Sequence, residues 1–170
     1  IEAYAVSIGP GSFTGLRIGV AALKGLALAH RKPLIGVATL PAMARASGIR
    51  EGWVCPLLDA RMNEVFGAVY SYASGVRSEV VPMQAAPIHT FLEHTSSDTL
   101  FIGAGAREYA DAIHAEYPDA PFGDVALNHP RAGAVLAEAR QLFAAGESAD
   151  PALVAPIYLR GSQAEEARKA

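Results

Sequence analysis

One segment constrains the fold more than any other: Gly9–His30, which reads GPGSFTGLRIGVAALKGLALAH. Its first seven residues hold three glycines and a proline, and a nearly charge-free helical stretch follows. The apolar run Ala3–Ile8 just before it predicts a short buried strand ended by Gly9-Pro10-Gly11. A hydroxyl of Ser12 or Thr14 is placed to cap the helix. The chain therefore opens as strand, tight turn and helix.

A glycine-rich turn at a helix start is compatible with phosphate binding, because free backbone N–H groups attract anions there. The spacing of Gly9, Gly11 and Gly15 is one residue longer than the dinucleotide fingerprint allows. Gly15 is followed by Leu16-Arg17 and not by the Lys-Ser/Thr of a Walker A loop. Pro10 also removes one N–H donor. Phosphate binding by this turn is the weaker of two interpretations.

The stronger interpretation is close packing of the helix. Gly15 and Gly19 lie four residues apart, and a helix apolar on most sides must be covered on most sides. One side is expected to lie on a sheet, and the other needs a second helix or a second protein. Glycine inside a helix costs about 1 kcal/mol relative to alanine, so tight contact must offset that loss. We expect six interface or packing positions, with burial in the chain's own core as the alternative for each: Leu16, Ile18, Gly19, Val20, Leu23 and Leu26.

The rest of the chain divides near Gly48–Gly52. Before it, a second strand over Leu34–Val37 and a helix over Thr39–Ser47, capped by Thr39, favour two parallel strands joined by a helix. After it, the hydrophobic period changes to that of a strand meander.

This predicts an α/β chain with one unit over residues 1–48 and a second over residues 49–170, whose C-terminal part packs back on the first unit. The later elements expected are strands over Trp53–Leu58, Glu64–Tyr72, Val76–Met83 (an edge strand, because of Pro82) and Thr99–Ile102, and helices over Ile88–His94, Arg107–Tyr117 and Ala132–Ala145.

Composition limits the class of protein. The 170 residues carry a net charge of −3, which does not favour direct contact with nucleic-acid phosphates. Cys55 is the only cysteine, so an internal disulfide is impossible. The most apolar stretch, Leu16–Ala29, is interrupted by Arg17 and Lys24 and is too short to span a bilayer. A cytoplasmic globular protein is expected.

Candidate catalytic groups are sparse. None of the five histidines forms an H-E-x-x-H pattern, Ser12 does not stand in G-x-S-x-G, and Cys55 in an apolar strand predicts a buried inert thiol. Asp59-Ala60-Arg61 with Glu64 predicts a turn with a local ion pair in preference to a polar site. Gly103-Ala104-Gly105 predicts a helix-entry turn in preference to a nucleotide loop. No metal, cofactor or catalytic set is assigned.

Three segments together resemble the TsaB (YeaZ) family. The first is Gly9–Gly19 followed by Lys24–Ala27, the second is Leu58–Phe66, and the third is Pro156–Arg160, which also reads as a short apolar strand closing on the body. The first motif is long and specific, and the three occur in order over most of the chain.

The resemblance implies an actin-like, RNase H-related ATPase (ASKHA) fold in two small α/β lobes. Family members open with a strand hairpin carrying an Ile-Asp-Thr-Ser-like phosphate loop, which this chain lacks, so we expect the first lobe to be truncated. The family also implies a non-catalytic subunit of the machinery that forms N6-threonylcarbamoyladenosine in tRNA. Its implied partners are a TsaD-like paralogue that carries the transferase site, a TsaE-like ATPase and a second copy of itself. The resemblance also implies that the chain contacts tRNA only through the complex and binds ATP or ADP only within the complex.

Two other functions stay open at this point. One is a hydrolase or peptidase, which would need a metal pair or a catalytic triad. The other is a nucleotide-binding protein acting alone. Neither has a matching motif in the sequence.

Overall fold

The structure, a computed structural model, describes residues 1–147 and 150–160. Its strands are β1 (Tyr4–Gly9), β2 (Leu34–Ala38), β3 (Gly52–Arg61), β4 (Glu64–Ala73), β5 (Val76–Ala86) and β6 (Leu100–Ile102). Its helices are α1 (Phe13–His30), α2 (Thr39–Ala46), α3 (His89–Leu92), α4 (Ala104–Glu108), α5 (Ala110–Glu116) and α6 (Ala132–Ala144), with a short 3-10 helix at Val125–Leu127. The sequence of the charged segment 164–170 predicts a frayed tail, and this segment lies outside the described residues.

The first sheet has two parallel strands, β1 and β2, joined by α1. Of the two expected capping hydroxyls, that of Ser12 caps α1: its Oγ accepts a hydrogen bond from the Gly15 N–H at 3.3 Å. The helix ends at Arg31, which takes a left-handed conformation before Pro33. The expected strand, turn, helix and second parallel strand are confirmed.

The second sheet has four strands in the order β5-β4-β3-β6. β3, β4 and β5 form an antiparallel meander, and β6 joins β3 in parallel. Pro82 lies on β5, which is an edge strand as expected, because proline has no N–H to donate to a neighbour.

Helix α2 lies between the two sheets. Leu40 and Met43 pack into a core with Val54 of β3, while Ala42 packs with Ile35 and Val37 in a second core. The prediction that Thr39 caps this helix is wrong. Ala38 is the N-cap, and the Thr39 hydroxyl instead hydrogen-bonds the Ser7 hydroxyl of β1 at 2.7 Å.

The helix expected over Arg107–Tyr117 is two helices, α4 and α5, which meet at Tyr109. The first begins earlier than predicted, at Ala104, because the glycines around it allow the backbone to lie against β3. A Cβ on Gly103 would stand 2.0 Å from the Leu57 carbonyl oxygen. The helix-entry role expected of this turn is therefore what the structure shows.

The C-terminal part of the chain completes the first core. Ala139 and Val135 of α6 pack with Ile35 and Val37 of β2, and Val154 packs with Val6 of β1. Residues 156–160 were expected to form a short strand, but they follow an irregular path against β1 and α1. Among the described residues, no helix combines the length and apolar content that crossing a bilayer requires.

Candidate functional site

The outward side of α1 is the first candidate site. At about 100° per residue, seven small or apolar residues occupy one continuous arc of about 160°. We call this arc the α1 outer face; its members, all exposed, are Ile18, Ala21, Ala22, Gly25, Leu26, Leu28 and Ala29. Ile18, Leu26 and Leu28 are 65%, 46% and 56% exposed. No charged residue interrupts the arc, which marks it as an apolar surface without a partner in this chain.

The six positions expected at this helix separate into two groups. Leu16 and Val20 are buried in the chain's own core, so for these two the alternative of internal packing is what the structure shows. Leu23 is half-buried against that core, and Gly19 is half-buried beside Val6. Ile18 and Leu26 lie on the α1 outer face. Ala21, Ala22 and Gly25 share this face with Ile18 through the i, i+3, i+4 and i+7 spacing, which the sequence shows, but the sequence does not show that this face is the exposed one.

The glycines of α1 do not serve packing within the chain. A Cβ on Gly25 would have nothing within 4 Å, and a Cβ on Gly19 would only reach Val6 at 4.0 Å. The space above Gly25 is therefore open to solvent. Close approach of one backbone to another occurs elsewhere, as at Gly9 and Gly103.

The second candidate site is a cleft of about 1090 Å³ between the two sheets. Its walls are the turn before α1, the β3–β4 turn and the segment 157–160, with His129 and Pro130 at one side. The volume is sufficient for a nucleotide-sized ligand. Nine polar residues of the described chain line it: Ser7, Ser12, Thr14, Thr39, Asp59, Arg61, His129, Tyr158 and Arg160.

The residues at the start of α1 do not fit a bound phosphate chain. The Ser12 hydroxyl is engaged as a helix cap, and Pro10 provides no N–H. Arg17, the nearest cation along the chain, donates from Nε to the Tyr158 hydroxyl at 3.0 Å and stacks 3.9 Å from the Phe13 ring centre. The cleft therefore has room for a nucleotide, but the turn before α1 presents no cationic side chain to its phosphates.

The β3–β4 turn forms the opposite wall. Arg61, Met62 and Asn63 have φ of 65°, 55° and 62°, three consecutive left-handed residues that are not glycine. The prediction of a local ion pair at this turn is wrong: Glu64 pairs instead with the distant Arg160, at 3.2 Å. Asp59 accepts the Arg61 N–H at 2.7 Å.

The described residues do not bring a nucleophile and a base together. Their histidine hydrogen bonds run from His30 to the Tyr4 hydroxyl and from His114 to the Pro118 carbonyl oxygen. Burial raises the pKa of the Cys55 thiol, which favours its unreactive protonated form. Over residues 1–147 and 150–160 there is no group of three His, Cys, Asp or Glu side chains arranged to hold a metal ion.

A buried ion cluster ties the elements behind the cleft together, and sequence reasoning missed it. Glu138 of α6 is only 5% exposed. Its carboxylate accepts hydrogen bonds from Arg45 of α2 at 2.5 Å and from Arg77 of β5 at 2.6 Å. Arg77 also donates to the Pro41 carbonyl oxygen of α2 at 3.0 Å. Burial raises the pKa of Glu138, but the hydrogen bonds and charges of Arg77 and Arg45 outweigh it and hold that pKa below its ordinary value.

Comparison with known proteins agrees with this architecture. The model of the family described as TsaD, tRNA N6-adenosine threonylcarbamoyltransferase, matches residues 1–168. The tRNA threonylcarbamoyladenosine biosynthesis protein TsaB of Escherichia coli is 34% identical over 171 residues, covering 96% of this chain and 73% of that protein. TsaB of Bacillus subtilis is 32% identical, covering 94% and 70%. A crystal structure of a Pseudomonas aeruginosa protein with similarity to peptidase YEAZ superposes with a TM-score of 0.76 at 29% identity, covering 94% of this chain and 74% of that one.

Two α/β lobes on either side of a cleft, with these relatives, define a protein of the actin-like ASKHA class. Within that class the chain belongs to the TsaB (YeaZ) family.

Proposed function

We propose that this chain is a non-catalytic subunit of the bacterial machinery that forms N6-threonylcarbamoyladenosine in tRNA. Its membership of the TsaB family supports the pathway. The described residues provide no paired nucleophile and base, and the polar groups at the turn before α1 are engaged in capping and packing. We therefore assign the chain a role in assembly and not in the transfer reaction.

The proposed partner is a TsaD-like paralogue that carries the transferase site. One observation supports this most strongly: the α1 outer face is apolar, continuous and exposed. Burying Ile18, Leu26 and Leu28 against a second helix would contribute about 25 cal/mol for each Å² of apolar surface removed from water. The empty space above Gly25 would let that helix approach closely.

A second copy of this chain is proposed to use the same face when the paralogue is absent. Homodimer and heterodimer are then mutually exclusive at α1. A TsaE-like ATPase would join the heterodimer, and tRNA would be held by the partner, because the net charge of −3 is unfavourable for phosphate contacts. We place this assembly in the cytoplasm.

Nucleotide is proposed to bind only within the assembled complex. The cleft has the volume for it, but the start of α1 contributes no free cation toward a phosphate. Of the arginines that line the cleft, Arg160 is paired with Glu64 and Arg61 lies on the opposite wall, so we propose that a partner chain completes the phosphate contacts.

The test is the affinity of the chain for a TsaD-like partner by titration calorimetry. Ile18→Asp and Leu26→Asp each place a carboxylate on the α1 outer face and should weaken association at least tenfold, about 1.4 kcal/mol. Leu136→Asp is the matched control, because Leu136 is an equally exposed apolar residue on α6. If both α1 variants fold and bind as tightly as the control, the assignment of this face is overturned.

A further inference from the structure

The segment 156–160, which we call the C-terminal strap, contacts both walls of the cleft. On one side the Ile157 N–H donates to the Ile8 carbonyl oxygen of β1 at 2.7 Å. Tyr158 accepts the hydrogen bond from Arg17, and its ring lies 5.0 Å from the ring of Phe13. On the other side, Arg160 reaches the β3–β4 turn.

The attachment to β1 is built into the backbone. A Cβ on Gly9 would stand 2.6 Å from the Ile157 carbonyl oxygen, closer than any real side chain allows. Gly9 also has a φ of 118°, which only glycine adopts readily. The absence of a side chain at residue 9 is therefore what permits the strap to lie this close to β1.

The attachment to the turn runs through the guanidinium of Arg160. Nη1 lies 3.2 Å from the Glu64 carboxylate and makes a longer contact, 3.4 Å, with the Ala60 carbonyl oxygen. Nη2 contacts the Met62 sulfur. These groups bracket the turn, since Ala60 precedes it, Met62 is at its centre and Glu64 follows it.

The turn needs such support. Three consecutive left-handed residues other than glycine are disfavoured by contacts between Cβ and the backbone, so they persist only where their surroundings hold them. The Asp59 side chain holds the Arg61 N–H from within the turn. Arg160 is the group that reaches the turn from the other wall.

We propose that the C-terminal strap fixes the opening of the cleft, and that Arg160 is a positioning residue that holds the β3–β4 turn in its left-handed conformation. Arg160 joins Ala60, Met62 and Glu64 to a segment bound on β1. Releasing it frees the turn to relax away from the start of α1 and widens the cleft. This proposal concerns the chain alone and does not depend on the proposed function.

The first test is amide hydrogen exchange in the isolated full chain. Arg160→Ala should accelerate exchange of residues 60–64 at least tenfold, while the amides of β4 beyond the turn stay unchanged. Arg160→Lys keeps the charge near Glu64 but replaces the two separate guanidinium nitrogens with one, so it should give an intermediate rate. Arg140→Ala removes an exposed arginine from α6 and is the control.

The second test is the distance across the cleft. Spin labels on Thr14→Cys and Arg61→Cys report it directly, because both positions are exposed and the native Cys55 is buried. The distance distribution should broaden toward longer values in Arg160→Ala and stay narrow in the control. A purely structural contribution of Arg160 would lower global stability without changing this distribution.

Two outcomes would overturn the proposal. In the first, Arg160→Ala folds and leaves both the exchange of residues 60–64 and the distance distribution unchanged, so the strap does not set the cleft. If Arg160→Ala does not fold, Arg160→Lys decides: a turn that exchanges as slowly as in the native chain counts against the proposal.

Discussion

The guanidinium of Arg77 forms a two-point contact with the carboxylate of Glu138, at 2.6 Å to Oε1 and 3.2 Å to Oε2. Arg77 belongs to the edge strand β5, and Glu138 belongs to α6, which packs on the other sheet. The contact therefore joins the two lobes behind the cleft. Arg45 completes the cluster from α2, the helix between the sheets.

Replacing Glu138 tests the energy of this junction. Glu138→Ala leaves two partly buried arginines without their carboxylate and should lower the free energy of unfolding by about 3 kcal/mol. Glu138→Gln keeps the shape and one acceptor, so its loss should be smaller. Chemical denaturation measures both, with the exposed Glu147→Gln as control. A loss below that of the control would show that the cluster contributes nothing to stability.

The same cluster predicts how stability changes with pH. The folded-state pKa of Glu138 is lowered below its ordinary value of 4.5, so its contribution is fully present above that pH. It is lost as the pH falls further, through the folded-state pKa, because protonation then removes the charge that Arg77 and Arg45 stabilise. The difference in unfolding free energy between the native chain and Glu138→Gln should therefore be constant near neutrality and shrink below pH 4.5. A difference independent of pH in that window would contradict the assignment.

Two glycines, one crowded by backbone and one with open space around it, give a paired prediction for substitution by alanine. Gly103 has a φ of 99° and ψ of 163°, and a Cβ there would meet the Leu57 carbonyl oxygen, so Gly103→Ala should cost at least about 2 kcal/mol. Gly25 lies inside α1 with open space around it, so Gly25→Ala should stabilise the isolated chain by about 1 kcal/mol. Thermal unfolding of the two variants measures both effects. A destabilising Gly25→Ala would show that an unidentified contact covers this part of α1.

Nucleotide binding separates the assembly role from a chain that binds nucleotide alone. Calorimetric titration of ATP or ADP into the isolated chain should give no binding heat, whereas the complex with a TsaD-like partner should bind. Arg17 is the informative side chain, since it is held between Phe13 and Tyr158. Saturable binding to the isolated chain, abolished by Arg17→Ala, would favour the stand-alone alternative.

The positions of the strands were predictable because each is a short apolar run bounded by glycine, proline or polar residues, whereas the placement of β6 beside β3 was not. The orientation of α1 was not predictable either. Its sequence is apolar on nearly every side, so nothing local distinguishes Leu16 and Val20, which face the sheet, from Ile18 and Leu26, which face solvent. That choice is made by the position of the sheet.

Long-range ion pairs were also beyond sequence reasoning. Proximity along the chain predicts a local ion pair within residues 59–64, yet the partner of Glu64 is Arg160, brought there by the C-terminal strap. Nothing in the sequence around Glu138 distinguishes it from an ordinary glutamate on the outside of a helix. Only the packing of α6 beside α2 and β5 places it between two arginines. The local sequence likewise predicts that the Thr39 hydroxyl caps its own helix, but the fold brings Ser7 of β1 beside it and the two hydroxyls hydrogen-bond.

The position of α2 determines which motions the molecule can make. Leu40 and Met43 belong to one core, Ala42 belongs to another, and neither set can leave its neighbours without exposing apolar surface. The lobes cannot simply pull apart. A rearrangement of the whole lobes would therefore have to rotate about this short helix, whereas relaxation of the β3–β4 turn leaves both of its buried sides in place.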